Sequence, residues 1–563
     1  MKKIATLKVL IVFICISALA SCQTSSPQSQ TGVVDTLLVD VNVIDITTGS
    51  ILTNQLVAIR DQKILVIDDV ENRNFFESKE IINGEGAFVI PALNDLHVHV
   101  NNQNVLPLYS RYGVGLIFNL SGGYKHLKMK QQLEEGVLAG PTLLTVGPTL
   151  DGEKRTNPLF VAVDSTNIEK TVAEINSAGY DGIKVYQKMT KETLTKVVEA
   201  SKNNQTYLVG HVSRVAGISG TLESGLKNIA HGEELSFEAF DENTKKYDLA
   251  TIEPLVDELL TNNANLIANL NFIENIPAQV SHLETYLSQP TMQLVPADIF
   301  QSWGKAQGWF ANRKDPASFI KQIKNMNQFV SHLVQRAHLR GVKVLLGTDS
   351  GFGGAIPGYS AHLELQSLVA AGLSPLQALQ VGTLFPGEHL LEHRLIKTPR
   401  GQISVGHAAD LILLRANPLL DIKNTLSIKG VVQRGKWASQ SKLSEIEQSL
   451  KRKHAVNRVK AELFEKHFLN GDIQSAQSLV KNHMNQDSPD PLITASNCIF
   501  LGYRYYFGGQ KTLAGQFYTL CADMMPNEPR LLHYLAKINQ AIGKQAEANK
   551  YLEASKTLDP WYQ

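Results

Sequence analysis

The stretch GAFVIPALNDLHVHV, residues 86–100, decides the fold prediction more than any other part of the chain. An apolar run interrupted by Pro91 leads directly to His97 and His99. Side chains at positions i and i+2 of a strand point to the same face, so the two imidazoles can hold one metal ion. Two histidines alone do not distinguish a metal site from hydrogen-bonded structural residues. The rest of the chain must make that distinction.

Seven further β-rich runs follow this stretch. They are GVGLIFNL (113–120), TLLTVG (142–147), GIKVY (182–186), TYLVGH (206–211), KNIAH (227–231), ANLIANL (264–270) and KVLLGTD (343–349). Together with the first run they make eight β units with mostly helical connections, which predicts an α/β chain folded as a (β/α)8 TIM-like barrel over 91–394. Residues 271–335 are too many for one connection, and we predict that part of them forms an inserted helical lid.

The segments that flank the barrel are also β-rich. Residues 33–90 and 395–440 have strand-like patterns, which predicts a small β-sandwich built from both flanks. Residues 441–563 are helical in pattern, and positions in the first of two units recur 34 residues later: Gly509, Ala514, Tyr518 and Pro526 recur as Gly543, Ala548, Leu552 and Pro560. This period resembles the tetratricopeptide repeat, although helical hairpins with coincidental spacing are the alternative.

The cysteines do not form a zinc-binding CxxC pattern. Cys498 and Cys521 are placed on the two helices of the first repeat unit by this prediction. A disulfide between them is one interpretation. Two small buried apolar residues without a bond are the interpretation that we favour.

The N-terminus has the features of a secretory signal. Lys2 and Lys3 precede an apolar run that ends in Leu-Ala-Ser-Cys at 19–22, which resembles the lipobox of bacterial lipoproteins. The resemblance implies a signal peptide at 1–21, a lipidated Cys22 and a flexible tether at 22–32. It also implies a lipid anchor in the bacterial cell envelope, on the periplasmic face of the outer membrane. An ordinary cleaved signal is the alternative.

The charge balance argues against one class of partner. The net charge is +1, from 54 basic and 53 acidic residues, and this balance does not favour a nucleic-acid partner. A small-molecule or short-peptide substrate requires no global charge.

Residues with metal-binding chemistry recur at the ends of the predicted barrel strands. They are His97, His99, His211, His231 and Asp349, and Lys184 lies in the fourth of these runs. Active sites of such barrels lie at the carboxyl ends of the strands, and imidazole and carboxylate groups suit zinc and its neighbours. Their recurrence at successive strand ends predicts one metal site.

The stretches VIPALNDLHVHV, YDGIKVY, YLVGH, LKNIAHGEE, VLLGTDSG and GHAADLILLRANPL together resemble the amidohydrolase superfamily. The resemblance is to the branch of imidazolonepropionase and metal-dependent dipeptidases. It implies two divalent ions, with zinc favoured. His97 and His99 would hold one ion, and His211 and His231 the other. Lys184, carboxylated by carbon dioxide, would bridge the two ions, and a single ion beside an unmodified lysine is the alternative.

The resemblance also implies a reaction. Asp349 would bind metal and act as general base while metal-activated hydroxide cleaves an amide or peptide C–N bond. Dipeptides, N-acyl amino acids and cyclic amides are candidate substrates. The alternative from another class is a lipid-anchored envelope binding or assembly protein, with the barrel as scaffold. In either case the repeats at 441–563 could mediate self-association or contact with a protein partner.

Overall fold

The computed structural model describes residues 32–153, 160–304, 315–484 and 495–559. The predicted signal peptide, Cys22 and the tether up to residue 31 lie outside the described residues. The strands are β1 Gly32–Ile44, β2 Ile51–Arg60, β3 Lys63–Asp69, β4 Phe76–Pro91, β5 Leu93–Val98, β6 Val114–Asn119, β7 Thr142–Thr145, β8 Thr149–Asp151, β9 Phe160–Ala162, β10 Gly182–Val185, β11 Tyr207–Gly210, β12 Asn228–Ile229, β13 Phe240–Asp241, β14 Lys246–Tyr247, β15 Asn265–Ile267, β16 Val344–Leu345, β17 Leu411–Leu414, β18 Ile428–Gln433 and β19 Lys436–Ser439.

Helices connect most of the central strands and form the C-terminal region. They are α1 Leu106–Arg111, α2 Tyr124–Glu134, α3 Ile168–Ser177, α4 Lys191–Asn203, α5 Gly217–Glu223, α6 Ile252–Thr261, α7 Leu270–Ser281, α8 Leu283–Leu287, α9 Ala297–Gly304, α10 Pro316–Arg340, α11 Tyr359–Ala370, α12 Pro375–Gly382, α13 Leu384–Glu392, α14 Gln440–Leu469, α15 Ile473–Met484, α16 Ala495–Phe507, α17 Lys511–Met524, α18 Pro529–Ala541 and α19 Gln545–Leu558.

Each of the eight predicted β runs contains a strand. In chain order these are β5, β6, β7, β10, β11, β12, β15 and β16, and each ladder between them is parallel. A parallel bridge joins Val146 to Gly182 beyond β7, and another joins Val98 to Ser350 beyond β16. The prediction of a TIM-barrel-like α/β fold is confirmed in this arrangement.

The strands are apolar on both faces because both faces are buried. Leu116 and Phe118 of β6 belong to an interior cluster with Val209 of β11, while Ile117 between them packs on the helical side. Leu390 of α13 joins the interior cluster. Burial on both sides explains why these runs read as continuous apolar segments rather than alternating ones.

The two β-rich flanks pair with each other. The strand order is β19-β18-β17-β4-β1-β2-β3, in which β4 pairs in parallel with β1 and antiparallel with β17. Neighbouring residues on β1, Leu37 and Leu38, belong to different apolar clusters, so the seven-stranded sheet is covered on both faces. The sheet leads directly into the barrel, since β4 ends at Pro91 and β5 begins at Leu93.

The C-terminal helices recur with the predicted spacing. The second helix of each pair, α17 and α19, begins at Lys511 and Gln545, which are 34 residues apart. Gly509 and Gly543 follow the first helix of each pair with φ of 83° and 82°, a left-handed conformation that favours glycine at helix ends. The assignment of these pairs to the tetratricopeptide repeat stays a prediction.

Cys498 of α16 and Cys521 of α17 form a disulfide. The favoured prediction of two separate buried thiols is therefore wrong. The Cα atoms are 6.2 Å apart, within the range that a disulfide spans. The spacing of the cysteines in sequence does not determine this separation, which follows from the packing of two neighbouring helices.

The long helix α14 connects the C-terminal region to the barrel. Arg458 lies over the Phe300 ring of α9, 3.6 Å from its centroid, and donates to the carbonyls of Met292 and Val295. Nearer the start of the same helix, Arg111 of α1 forms a 2.9 Å ion pair with Glu447 of α14. No helix in the described ranges is long and apolar enough to cross a membrane.

Candidate active site

Three of the predicted ligands converge at the carboxyl ends of the barrel strands. His97 lies on β5, His231 follows β12 and Asp349 follows β16. All three are buried, and each offers one ligand atom within 4.8 Å of the others. The Nδ1 atom of His97 is 3.0 Å from the carbonyl oxygen of Ala230, which leaves Nε2 for the site.

Asp349 also brings His99 to this group. Its Oδ1 atom is 2.7 Å from Nε2 of His99 and 3.4 Å from Nε2 of His97. Burial opposes the charged carboxylate, but the two imidazoles outweigh it and hold the pKa of Asp349 well below its usual value. Asp349 has φ of 55°, unusual for a residue other than glycine and typical of strained functional positions.

Lys184 is the buried amine of the site. Its Nζ atom is 3.3 Å from Nε2 of His97, and only 4% of the residue is exposed. Burial lowers the pKa of Lys184 to about 8, against the opposing influence of Asp349, Glu234 and Glu233. Burial therefore favours the neutral amine, the form that carboxylation of a lysine requires.

His211 lies beside His231 but has its own carboxylate. The two rings are 4.5 Å apart, and Nδ1 of His211 is 2.5 Å from Oε1 of Glu234. Burial disfavours the charged form of Glu234, yet His211 and Arg214 outweigh it and lower its pKa to about 2. The Arg214 guanidinium lies over the Phe237 ring, 3.1 Å from its centroid.

His231 has two neighbours that the sequence analysis did not assign. Nδ1 of His231 is 3.0 Å from the side-chain nitrogen of Asn269 and 3.3 Å from Oε1 of Glu233. The motif LKNIAHGEE already contained both glutamates directly after His231. Asn269 is the last residue but one of the seventh predicted run, to which no functional residue was assigned.

Asp95 is a further buried carboxyl that the sequence analysis missed. It accepts hydrogen bonds from the backbone N–H of His97 and Thr348, at 3.3 and 3.0 Å, and from the Thr348 hydroxyl at 2.6 Å. It therefore joins the first and eighth strands beneath the site. Burial raises the pKa of Asp95 to about 7.

Comparison with known proteins places this site in a family. The model of the amidohydrolase family matches residues 88–438. An adenine deaminase of Desulforamulus reducens is 21% identical over 439 residues, which cover 73% of this chain, and the chain spans 60% of the length of that relative.

Solved structures share the fold at low sequence identity. A Xaa-Pro dipeptidase with bound methionine has a TM-score of 0.56 and 18% identity, covering 72% of this chain and 99% of its own. A structure described as a prolidase from Bifidobacterium longum has a TM-score of 0.54 and 20% identity, covering 74% and 98%. A bottromycin amidohydrolase has a TM-score of 0.59 and 18% identity, covering 74% and 90%.

Proposed function

This chain belongs to the amidohydrolase family, hydrolases that act on carbon–nitrogen bonds, and we propose that it cleaves an amide or peptide bond in a metal-dependent reaction. The observation that carries the proposal is the convergence of His97, His231 and Asp349 at the carboxyl ends of three barrel strands. The bridges at Val98 and Val146 support a closed eight-stranded barrel around them.

The residues present fit a metal centre. Oδ1 of Asp349 is buried and makes no hydrogen bond of ordinary geometry, and a carboxylate oxygen left in this state suits a cation. His97, His99, His211, His231 and Asp349 supply the nitrogen and oxygen donors that zinc prefers. We propose two divalent ions, zinc being favoured, held by these residues and by carboxylated Lys184.

The state of Lys184 supports its carboxylation. Its amine is buried near His97 and the lowered pKa of the ammonium makes the neutral nucleophile available. An unmodified ammonium among cations would be repelled, whereas a carbamate is an anionic oxygen ligand. A single ion beside unmodified Lys184 remains the alternative, and counting metal per purified chain separates the two.

Asp349 is the proposed general base. His99 and His97 keep its carboxylate deprotonated, so its oxygens carry no proton when water arrives. When bound, divalent ions would polarise the scissile carbonyl and lower the pKa of water. Asp349 would take the proton of the attacking water and return it to the leaving nitrogen.

The substrate class stays a proposal. Dipeptides, N-acyl amino acids and cyclic amides all contain the bond in question, and the names of the similar structures include a Xaa-Pro dipeptidase and a bottromycin amidohydrolase. We propose that residues 91–394 carry the reaction, with residues 33–90 and 395–440 forming the sandwich. The helical lid within 271–335 would contribute to specificity.

The location and the C-terminal region complete the proposal. We propose that a lipid on Cys22 anchors the protein to the bacterial outer membrane, facing the periplasm. This proposal rests on the sequence of the N-terminus alone.

An envelope binding or assembly protein that uses residues 441–563 is the second candidate function. The packing of α14 on α1 and α9 favours a different role for this region, that of a cap on the barrel.

The test combines metal analysis with a substrate screen. Wild-type protein should contain stoichiometric metal and hydrolyse members of a dipeptide and N-acyl amino acid library. Asp349→Asn should lower kcat by about 10²-fold or more while retaining much of the metal. Asp181→Asn is the control, because Asp181 is a partly buried carboxylate paired with Lys130 at 2.5 Å, at the opposite end of a barrel strand. Near wild-type turnover by Asp349→Asn would refute the mechanism, and no metal with no turnover would favour the second candidate.

A further inference from the structure

Asn269 is a fully buried amide beside one of the proposed ligands. It lies two residues beyond β15, with φ of 40°, and no part of it is exposed. Its side-chain nitrogen is 3.0 Å from Nδ1 of His231, while its Oδ1 atom has no hydrogen-bond partner among the residues that the structure describes. A buried carbonyl oxygen without a donor is costly, so this orientation of the amide needs an explanation.

Rotating the amide by half a turn gives the His231 ring an oxygen acceptor. The oxygen and nitrogen of an asparagine amide have almost the same shape, and the hydrogen-bond network decides between them. In the rotated orientation Oδ1 accepts from Nδ1–H of His231. This is the arrangement already present at His97, whose Nδ1 faces the carbonyl oxygen of Ala230 at 3.0 Å. With a proton on Nδ1, the lone pair of each ring is on Nε2.

We infer that Asn269 is a positioning residue that sets the tautomer of His231 and thereby its ability to bind metal. The inference rests on the proposed function. Metal-binding histidines commonly donate their second ring N–H to an oxygen acceptor, which fixes the tautomer and the ring orientation. The opposite tautomer would place a proton on Nε2 and remove the donor atom from the site.

Glu364 of α11 holds Asn269 in this place. Its two carboxyl oxygens accept from the backbone N–H groups of Leu270 and Asn271, at 2.8 and 2.7 Å, in the first turn of α7. Glu364 is fully buried, and the N-terminus of a helix favours a carboxyl group. Because Asn269 directly precedes this turn, Glu364 fixes the backbone from which the amide reaches His231.

The test uses substitutions that respect the left-handed backbone. Glycine and aspartate both tolerate positive φ, but only aspartate keeps an acceptor at this position. Asn269→Gly should weaken zinc affinity by about 10- to 100-fold in a chelator competition, whereas Asn269→Asp should retain it within a few-fold. In protein loaded at saturating zinc, Asn269→Gly should regain most of its kcat.

A second pair of variants tests the support from α11. Glu364→Ala should weaken zinc affinity by removing the acceptors from the start of α7. Glu274→Ala is the control, because Glu274 also joins α7 to α11, through a 2.6 Å hydrogen bond from Ser367, without lying next to Asn269. It should leave zinc affinity unchanged. Thermal unfolding of each variant identifies those that fail to fold.

Two outcomes would overturn the inference. The inference is overturned if Asn269→Gly is folded and binds zinc with wild-type affinity. A loss in Glu233→Gln without one in Asn269→Gly would assign the role to Glu233, whose Oε1 is 3.3 Å from the same nitrogen. Wild-type protein that binds no metal would instead refute the proposed function itself, so the two failures are distinguishable.

Discussion

Loss of the Cys498–Cys521 disulfide should destabilise the C-terminal helices without affecting the barrel. The cysteines are separated by 23 residues, and cross-linking a loop of this length constrains the unfolded chain by about 3 kcal/mol in the chain-entropy model. The core of these helices, with Phe464, Phe517 and Leu535, is a cluster separate from that of the barrel. We therefore expect the effect to remain local.

Hydrogen exchange followed by mass spectrometry measures this effect region by region. In Cys498→Ala/Cys521→Ala, amides of α16 to α19 that exchange through unfolding of this region should exchange about 100-fold faster, since 1.4 kcal/mol corresponds to a factor of ten. Barrel peptides such as β10 and β11 should not change. Reduction of the wild-type protein is the matched control, because reduction breaks the disulfide without removing either sulfur atom. Unchanged exchange in α16 to α19, or equal acceleration in the barrel, would refute the reasoning.

Three other predictions concern the metal, pH and the contact of the C-terminal region with the barrel. Removal of metal by a chelator should abolish hydrolysis, and it should lower the melting temperature because a ligand that binds only the folded state stabilises it. Added zinc should restore both. Unchanged activity after verified removal of the metal would contradict this prediction. Burial raises the pKa of Glu364 to about 8, whereas a glutamate in the unfolded chain has a pKa of about 4. The contribution of Glu364 to stability is therefore fully present below about pH 4 and is lost as pH rises through 8. Denaturant unfolding at pH 5 and 9 should show a smaller fall in stability for Glu364→Gln than for wild type, and an equal fall would contradict the assignment. Arg458→Ala should lower the free energy of unfolding by about 1–3 kcal/mol, because it leaves the carbonyls of Met292 and Val295 without their charged donor. Arg452→Ala, on the exposed side of α14, should leave the free energy of unfolding almost unchanged. Equal losses in the two variants would argue against a specific contact.

The contact through Arg458 bears on what the C-terminal region does. Its guanidinium fixes α14 to the insertion after β15, and the same insertion contacts the loop that follows Asp349. Gln279 and Tyr286 donate to the carbonyls of Gly353 and Gly354 in that loop, at 2.7 and 3.0 Å. The C-terminal helices therefore pack behind the insertion that holds this loop, which is consistent with a stabilising cap.

The strands and their functional ends could be predicted from the chain alone. A buried parallel strand must be apolar over its whole length, so a polar residue with metal-binding chemistry at its carboxyl end stands out, as His97, His211 and Asp349 do. The order of these runs along the chain is also their order in the barrel, because consecutive parallel strands joined by helical connections usually lie side by side. A local pattern was therefore sufficient to locate six candidate ligands that are far apart in sequence.

The residues that support the ligands could not be found in this way. The support that we propose for Asn269 comes from Glu364, which bonds to Leu270, 94 residues away in the chain. An asparagine after a strand has no local signal that separates it from a turn residue. The disulfide was misjudged for the same reason, since the spacing of two cysteines does not give the distance between their helices. The pattern along the chain located the residues that we propose to carry the chemistry. The three-dimensional packing decided which nitrogen of each imidazole faces the site and which acceptor holds the other.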